Sequence, residues 1–344
     1  MNPYALSIII SSLALGTMLT LSSFHWILAW IGLEINTLAI IPLMTKNPHP
    51  RAIEAATKYF LTQAAASALI LFSSAINAYT LGEWTIDTLT HPISATLLSI
   101  ALAMKLGIAP FHFWLPEVLQ GSTLQTGLIL STWQKLAPMA LLIQLTQSID
   151  LNLLLMLGLL STMIGGWGGI NQTQIRKVLA FSSVAHLGWM MAILKISTQL
   201  ALLNFFLYIL MTSTLFLTFM SLNTKNMFEL SASWSKTPTL AALSLLSLLS
   251  LSGLPPLTGF MPKWLIAQEM VKQNMVMFAL IILLSTLLSL FFYLRLTYSM
   301  SLTLAPSLSS SSTAWFNPPK NLLATPMILS LLLLPITPTI LTMI

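Results

Sequence analysis

Apolar runs of about twenty residues recur along the whole 344-residue chain, as in LLLMLGLLSTMIGGWGGI at 153–170. A run of this length crosses the hydrocarbon core of a bilayer as a helix. Backbone polar groups in lipid must bond within the protein, which leaves only helices or a closed barrel. The runs are continuous rather than alternating, and only 6% of the residues are charged. The sequence therefore predicts an all-α, polytopic membrane protein.

Eleven membrane helices are predicted, two of them interrupted. They cover 4–22, 25–44, 58–80, 93–119 (interrupted), 123–146, 150–170, 174–195, 200–222, 238–271 (interrupted), 275–300 and 322–343. The start, MNPYALSIIISSLALGTML, has neither a basic n-region nor an Arg-rich transit pattern, and is interpreted as a retained first helix. The polar stretch SLSSSSTAWFNPPK at 307–320 is predicted to be a loop, with Trp315 at the membrane interface.

Basic residues are distributed unevenly between the two predicted membrane faces. The face with the N-terminus receives Lys46, Arg51, Lys58, Arg176, Lys177, Lys225, Lys236, Arg295 and Lys320. The opposite face receives only Lys195 and Lys272. This bias places the N-terminus on the cytoplasmic or matrix side, and an odd helix count places the C-terminus on the other side. The basic residues form no patch and no RNA-binding motif, so no nucleic acid partner is expected.

The chain contains no cysteine, which excludes disulfides, thiolate-ligated iron–sulfur clusters or zinc, and covalent haem of the usual kind. The five histidines lack the spacing of a haem-binding pair. The stretch GGWGG at 165–169 ends a predicted helix and follows no strand, so it is interpreted as a helix contact and not a nucleotide loop. The chain is expected to carry no cofactor of its own and to move charge, not electrons.

The two interrupted helices share a proline and glycine pattern. LGIAPFHFWLPE at 106–117 aligns with SGLPPLTGFMPK at 252–263, at a constant offset of 146 residues. The same offset relates YFLTQAAASAL at 59–69 to FFLYILMTSTL at 205–215. The pattern predicts two five-helix repeats, 1–149 and 150–300, followed by a loop and an extra helix in 301–344. A repeat of five helices inverts its copy, as in secondary transporters with sites near mid-membrane. Two unrelated proline-kinked helices remain the alternative.

Four charged residues lie inside the predicted helices: Glu34, Lys105, Lys135 and Lys263. A charge at the bilayer centre costs about 2.5–3.5 kcal/mol on insertion scales. Four such residues therefore cost on the order of 10 kcal/mol, comparable to the stability of a whole domain. They must be paired, hydrated or neutral. A buried lysine whose charged partner moves gains or loses proton affinity, and this is sufficient for proton pumping.

Each of these residues also has a structural interpretation. Lys263 follows a break and could extend toward an interface, and Glu34 and Lys135 could form a structural ion pair. His112, beside the first break, and His186, in the middle of a helix, are candidates for proton relay or for hydrogen-bonded packing.

Several stretches of the sequence resemble a known family. The stretches WIGLEINTLAIIPL, MKLGIAPFHFWLPEV, TWQKLAP, GGWGGINQTQIRKVLAFSSVAHLGWM and SGLPPLTGFMPKW are similar to the antiporter-like subunits of respiratory complex I, the NADH–ubiquinone oxidoreductase, in their vertebrate mitochondrial form. The resemblance covers essentially the whole chain, and its motifs are specific. It implies a proton-translocating subunit in the membrane arm, with the first three helices of the bacterial relatives missing.

The resemblance also implies roles for individual residues. Glu34 matches the family's essential glutamate, paired with Lys105 on the first broken helix. Lys135 matches the central lysine that links two half-channels, and Lys263 matches the residue near the exit side.

The family further implies the setting of the chain. Flavin mononucleotide, iron–sulfur clusters and ubiquinone would belong to other parts of the complex. The expected partners are neighbouring antiporter-like subunits, small core subunits, accessory subunits and phospholipids such as cardiolipin. The expected location is the mitochondrial inner membrane, with the N-terminus in the matrix and the C-terminus toward the intermembrane space. Two rival functions are a stand-alone cation/proton antiporter and a scaffold that pumps nothing.

Overall fold

A computed structural model describes residues 2–89, 91–235, 237–302 and 323–343. Within these ranges the chain is helical, apart from turns and two isolated β-bridges. Six of the described helices are long and apolar enough to cross a membrane, or seven if one bent C-terminal pair counts as a single crossing. The all-α membrane fold is thus confirmed, and the count of eleven helices remains a prediction. Trp315, the loop at 307–320, Lys236 and Lys320 lie outside the described residues.

The contacts divide the chain into two compact units, Met1–Gly158 and Leu159–Ile344, and the division falls inside one helix. Unit 1 contains α1 to α7. They are α1 (Pro3–Ser22), α2 (Trp26–Met44), α3 (Pro50–Leu81), α4 (Pro92–Leu106), α5 (Trp114–Gly121), α6 (Leu124–Ser131) and α7 (Trp133–Gln144). In α1 and α2, Gly16 and Gly32 face each other's backbone, because a Cβ on Gly16 would lie 2.9 Å from the Gly32 carbonyl oxygen.

The third helix begins earlier than the sequence predicts, at Pro50 instead of residue 58. Proline is well suited to a first helical position, where its missing N–H costs nothing. The His49 side chain accepts a hydrogen bond from the Arg51 N–H and caps the helix. Lys58 therefore lies within α3 and not at its start.

The first predicted break is present between α4 and α5. Gly107 ends α4 in the left-handed conformation, with φ +75°, a region that glycine enters without steric penalty. Turns through residues 109–113 then lead into α5. A Cβ on Gly107 would lie 2.9 Å from a Leu115 methyl carbon, so the close packing of α5 on the end of α4 also favours glycine.

The prediction of one continuous helix over 123–146 is wrong at Thr132, which separates α6 from α7. The Thr132 hydroxyl donates to the Leu128 carbonyl at 2.7 Å, a bond that bends helices. Beyond the bend, the Lys135 N–H bonds the Thr132 carbonyl at 3.3 Å, three residues back instead of four. Local departures from regular α-helix of this kind often occur at functional residues.

Unit 2 begins within α8 and contains α9 to α16. The helices are α8 (Leu151–Gly169), α9 (Ile175–Ile193), α10 (Thr198–Leu222), α11 (Met227–Ser231), α12 (Pro238–Ser252), α13 (Phe260–Lys272), α14 (Val276–Leu302), α15 (Ala324–Leu332) and α16 (Thr337–Met343). The sequence did not predict α11 or the 3₁₀ turn that follows it, Ala232–Ser235. The predicted C-terminal helix is bent by 62° between α15 and α16, around a short 3₁₀ turn, Leu334–Ile336.

The second predicted break is also present, between α12 and α13. Gly253 ends α12 with φ +85°, so both aligned glycines adopt the left-handed conformation. The glycine-rich end of α8 makes the close helix contact that the sequence predicts. A Cβ on Gly165 would lie 2.7 Å from the Ala185 nitrogen of α9, and one on Gly166 would lie 2.7 Å from the Leu288 Cβ of α14.

Each unit also joins two of its interhelical loops by an isolated antiparallel bridge. In unit 1, His25 pairs with Thr85, which ties the α1–α2 loop to the α3–α4 loop. In unit 2, Gln174 pairs with Asn226, which ties the α8–α9 loop to the α10–α11 loop. These are corresponding loops in the two proposed repeats. No sequence pattern signals these bridges, and the repeat itself stays a prediction.

Candidate functional site

The two predicted site lysines of unit 1, Lys105 and Lys135, line one small cavity between α2, α3, α4 and α7. The space open to the centres of water molecules is about 10 Å³, close to what one water molecule needs. Both lysines are buried, with 6% and 2% of their surface exposed. Polar side chains from the neighbouring helices share the lining: Asn36, Thr37, Tyr59, Gln63 and Gln134.

Lys105 lies in the last turn of α4, two residues before Gly107, where the first break begins. Its Nζ is buried and has no hydrogen-bond partner among the described residues. A buried charge without a partner is costly, so this group needs a nearby counter-charge or a bound water molecule, or it loses its proton. The Lys105 main chain is held by Gln63, whose amide donates to the Lys105 carbonyl at 3.5 Å.

Glu34 supplies negative charge near Lys105 but does not contact it. The Glu34 carboxylate acts electrostatically on Lys105 and on Tyr59. Among the described residues, however, no ion pair within 4.0 Å joins Glu34 to Lys105. Its Oε2 instead accepts a hydrogen bond from the Thr37 hydroxyl at 3.1 Å.

The broken end of α4 is stabilised by side chains from other helices. The Trp114 indole N–H donates to the Met104 carbonyl at 3.1 Å, and the Trp114 ring packs edge-on against Tyr59 at 5.7 Å between centroids. Carbonyl groups at a helix end lack partners within the helix, and in lipid they must find them elsewhere. Trp114 and Gln63 thus fix the backbone that carries Lys105.

Lys135 lies just after the irregular turn at Thr132 and lines the same cavity from α7. The adjacent Gln134 amide donates to the Asn36 main-chain carbonyl at 3.1 Å and links α7 to α2. Pro138 lines the same cavity, and as a proline inside a helix it removes one backbone hydrogen bond. Lys135 therefore lies in a stretch of helix with weakened backbone bonding at both ends.

In unit 2 the Lys263 side chain turns back toward the second break instead of extending outward. Its ammonium donates to the Ser252 carbonyl at 2.8 Å, so the lysine caps the end of α12. The side chain is half-buried and packs on Gly253, where a Cβ would lie 2.8 Å from Nζ. The interfacial interpretation of Lys263 does not fit this geometry.

Lys263 and His186 line a second cavity, also of about 10 Å³, within unit 2. Thr162, Thr286, Ser289 and Tyr293 add hydroxyl groups to its wall. The buried His186 ring lies 5.8 Å from the ring of Tyr208. The structure thus places His186 beside a candidate lysine. His112 is buried within the first break, but it is not among the residues that line the Lys105 cavity.

An ionic cluster that the sequence did not predict connects α3 with α5. Lys58 contacts both Glu54 and Glu117 at 2.6 Å, and all three side chains are more than 40% exposed. Glu117 is exposed, and through Lys58 it joins α5 to α3. Close packing supports this contact, since a Cβ on Gly121 would lie 2.5 Å from the Arg51 carbonyl oxygen.

The polar residues of the cavity stand singly in apolar helices, and only their helical spacing marks them in the sequence. Tyr59 and Gln63 are four residues apart on α3, and Asn36 and Thr37 follow closely on Glu34. Within the described ranges, no three His, Asp or Glu side chains are grouped so as to hold a metal ion.

Comparisons with known proteins bear directly on this geometry. Residues 23–289 match the family described as NADH:quinone oxidoreductase/Mrp antiporter, TM, and residues 290–341 match the NADH dehydrogenase subunit 2 C-terminus. A protein of Aquarana catesbeiana named NADH-ubiquinone oxidoreductase chain 2 is 61% identical over 99% of both chains. The protein of the same name from Xenopus laevis is 60% identical, over 99% of this chain and 100% of that one.

The chain belongs to the NADH-ubiquinone oxidoreductase chain 2 family. The resemblance seen in the sequence is thereby confirmed. Among solved structures, a chain of respiratory complex I from Thermus thermophilus is similar to this protein. It is 27% identical with a TM-score of 0.87, over 99% of this chain and 80% of that one. A chain of the Mrp complex from Dietzia sp. has a TM-score of 0.78 at 17% identity, over 87% of this chain and 61% of that one, and shows the shared fold alone.

Proposed function

We propose that this chain is a membrane-arm subunit of respiratory complex I that translocates protons, coupled to electron transfer from NADH to ubiquinone in the complex. The observation that carries the proposal is the pair Lys105 and Lys135, buried on one cavity beside a broken helix. A second observation is the full-length similarity to proteins named NADH-ubiquinone oxidoreductase chain 2. Charged residues inside membrane helices are costly, and where present they usually mark ion or proton pathways.

In unit 1, Lys105 exchanges its proton under the control of Glu34. The Glu34 carboxylate acts on Lys105 electrostatically without a contact ion pair, so a shift of α2 or of α4 changes the strength of that interaction. A proton released by Lys105 reaches Lys135 through the shared polar cavity. The interaction of one charge with another changes steeply with distance at low dielectric, so small movements suffice.

In unit 2, Lys263 and His186 form the corresponding relay, since both line one cavity with several hydroxyl groups. The Lys263 ammonium bonds a helix-end carbonyl and has no carboxylate partner within 4.0 Å among the described residues. A carbonyl holds an ammonium less firmly than a carboxylate does, so its proton remains exchangeable.

The redox groups of the complex belong to other subunits. The chain has no cysteine, and its described residues group no set of metal ligands, so these residues do not fit an iron–sulfur cluster. Its partners are the other complex I subunits, among them neighbouring antiporter-like, small core and accessory subunits, together with phospholipids such as cardiolipin. The similarity to vertebrate proteins named NADH-ubiquinone oxidoreductase chain 2 supports a location in the mitochondrial inner membrane. The bias in basic residues supports an N-terminus in the matrix and a C-terminus toward the intermembrane space.

The proposal is tested by replacing Lys105 with methionine in the assembled complex reconstituted into liposomes. Protons moved per NADH oxidised should fall, while the amount of assembled complex stays unchanged. Lys272→Met is the matched control, because Lys272 is an exposed lysine paired with Glu269 and lines neither cavity. A Lys105→Met complex that keeps the full proton-to-electron ratio would refute the relay.

A further inference from the structure

Asn36 on α2 is buried, with 3% of its surface exposed, and it lines the same cavity as Lys105 and Lys135. Its side-chain oxygen Oδ1 accepts no hydrogen bond from any described group. Lys105 Nζ, on the same cavity, also has no partner. An unpaired buried acceptor and an unpaired buried donor on one cavity each cost free energy, and a shared water molecule would satisfy both.

Asn36 contacts two neighbouring helices, one through its side chain and one through its main chain. It packs on α1 at Gly16, where a Cβ would lie 2.5 Å from Asn36 Oδ1, so the absence of a side chain at residue 16 is what allows this position. Its main-chain carbonyl accepts the Gln134 amide hydrogen bond at 3.1 Å, which ties it to the helix that carries Lys135. A residue held by two neighbouring helices is well placed to orient a small ligand.

The cavity has the size and the polarity for one water molecule. Its volume of about 10 Å³ for water centres is at the lower limit for a single molecule. Such a water usually makes two to four hydrogen bonds. Asn36 Oδ1 and Lys105 Nζ supply an acceptor and a donor, and Tyr59 and Gln63 line the same wall.

We propose that Asn36 is a positioning residue for proton transfer, which holds a water molecule against Lys105 through its side-chain oxygen. This inference rests on the proposed function. The water accepts a hydrogen bond from the Lys105 ammonium and donates one to Asn36 Oδ1. Its remaining hydrogen points into the cavity that Lys135 also lines.

Two substitutions at Asn36 separate this role from simple packing. Asn36→Leu keeps the side chain's approximate bulk but removes the acceptor, whereas Asn36→Ser leaves a void but keeps a hydroxyl group that can accept a hydrogen bond. If Asn36 only fills space, the leucine variant pumps as well as or better than the serine variant. If Asn36 positions water, the order reverses, and Asn36→Leu falls toward the proton-to-electron ratio of Lys105→Met.

Asn77→Leu is the matched control in the same unit. Asn77 is fully buried on α3 and also has a side-chain oxygen without a partner, but it does not line the cavity. Its amide donates to the Thr88 carbonyl at 3.3 Å, so the substitution removes a buried hydrogen bond as well. Asn77→Leu should retain the native proton-to-electron ratio in whatever complex assembles.

Water density in a high-resolution map of the assembled complex provides the second readout. We expect a water within hydrogen-bonding distance of both Asn36 Oδ1 and Lys105 Nζ, and its loss in Asn36→Leu. A dry cavity in the native complex would overturn the inference, whatever the pumping data show. Native pumping by Asn36→Leu, alongside defective pumping by Lys105→Met, would overturn the inference and leave the proposed function standing. Full pumping by Lys105→Met would instead contradict the proposed function.

Discussion

The Lys263 ammonium donates a 2.8 Å hydrogen bond to the main-chain carbonyl of Ser252, across the break between α12 and α13. Lys263 therefore has two roles: it caps the end of α12, and it lines the second cavity with a charged group. In the first break, two different residues have these roles. Trp114 closes the end of α4 through its indole N–H, and Lys105 presents the charge. The two breaks therefore share a left-handed glycine but differ in how their carbonyl groups are satisfied.

Gly253→Ala should impair both stability and pumping. Its φ of +85° costs a non-glycine residue about 1–2 kcal/mol, and the new Cβ would lie 2.8 Å from Lys263 Nζ, so the ammonium must move. Gly82→Ala is the matched control, because Gly82 has a φ of +78° but nothing within 4 Å of the Cβ position. Thermal inactivation of the complex and protons pumped per NADH measure the two effects. Equal pumping by both variants would show that the position of Lys263 is unimportant.

Trp114→Phe should loosen the end of α4 without emptying the space around it. The phenyl ring keeps most of the packing against Tyr59 but cannot donate to the Met104 carbonyl, a loss of about 0.5–1.5 kcal/mol. The amides of Gly107 and Ile108, which bond to Ala103, should then exchange with deuterium roughly tenfold faster. Trp133→Phe is the control, since Trp133 is 42% exposed. Unchanged exchange at the end of α4 would mean that the indole hydrogen bond does not hold the break.

Glu117→Gln should have little effect on stability, although it removes an ion pair between α3 and α5. Lys58 retains Glu54 as a partner, and ion pairs as exposed as these contribute little. The thermal inactivation midpoint of the complex should stay unchanged, both at low salt and at high salt. The prediction fails if Glu117→Gln clearly lowers the midpoint and if high salt lowers the midpoint of the native complex in the same way. That result would show that this cluster holds α5 in place.

Much of the fold could be predicted from the sequence, because lipid imposes strong rules on it. Long apolar runs revealed the helices, and the glycine and proline pattern located both breaks, where Gly107 and Gly253 adopt the same left-handed conformation. The bend at Thr132 was missed, since a threonine hydroxyl that bonds back to its own helix leaves no pattern in the sequence. The early start of α3 was missed because hydropathy ignores capping by His49.

The charged residues of the site were visible in the sequence as exceptions within apolar helices. The polar residues around them were not visible in this way, because Asn36, Gln63 and Gln134 come from three helices and meet only after folding. The resemblance implied a Glu34–Lys105 pair, and the structure brings the two close enough for an electrostatic interaction but not into contact. Whether such a pair closes depends on side-chain conformation, which a sequence motif does not specify.

The central claim is that Lys105 and Lys135 serve one proton path, and a double-mutant comparison tests it most directly. The proton-to-electron ratio would be measured in liposomes for Lys105→Met, Lys135→Met and the combined variant. Two residues on one path should show strongly non-additive effects, so the combined variant should pump no worse than the poorer single variant. Additive losses would place the two lysines on separate paths. An undiminished ratio in the combined variant would contradict the account altogether.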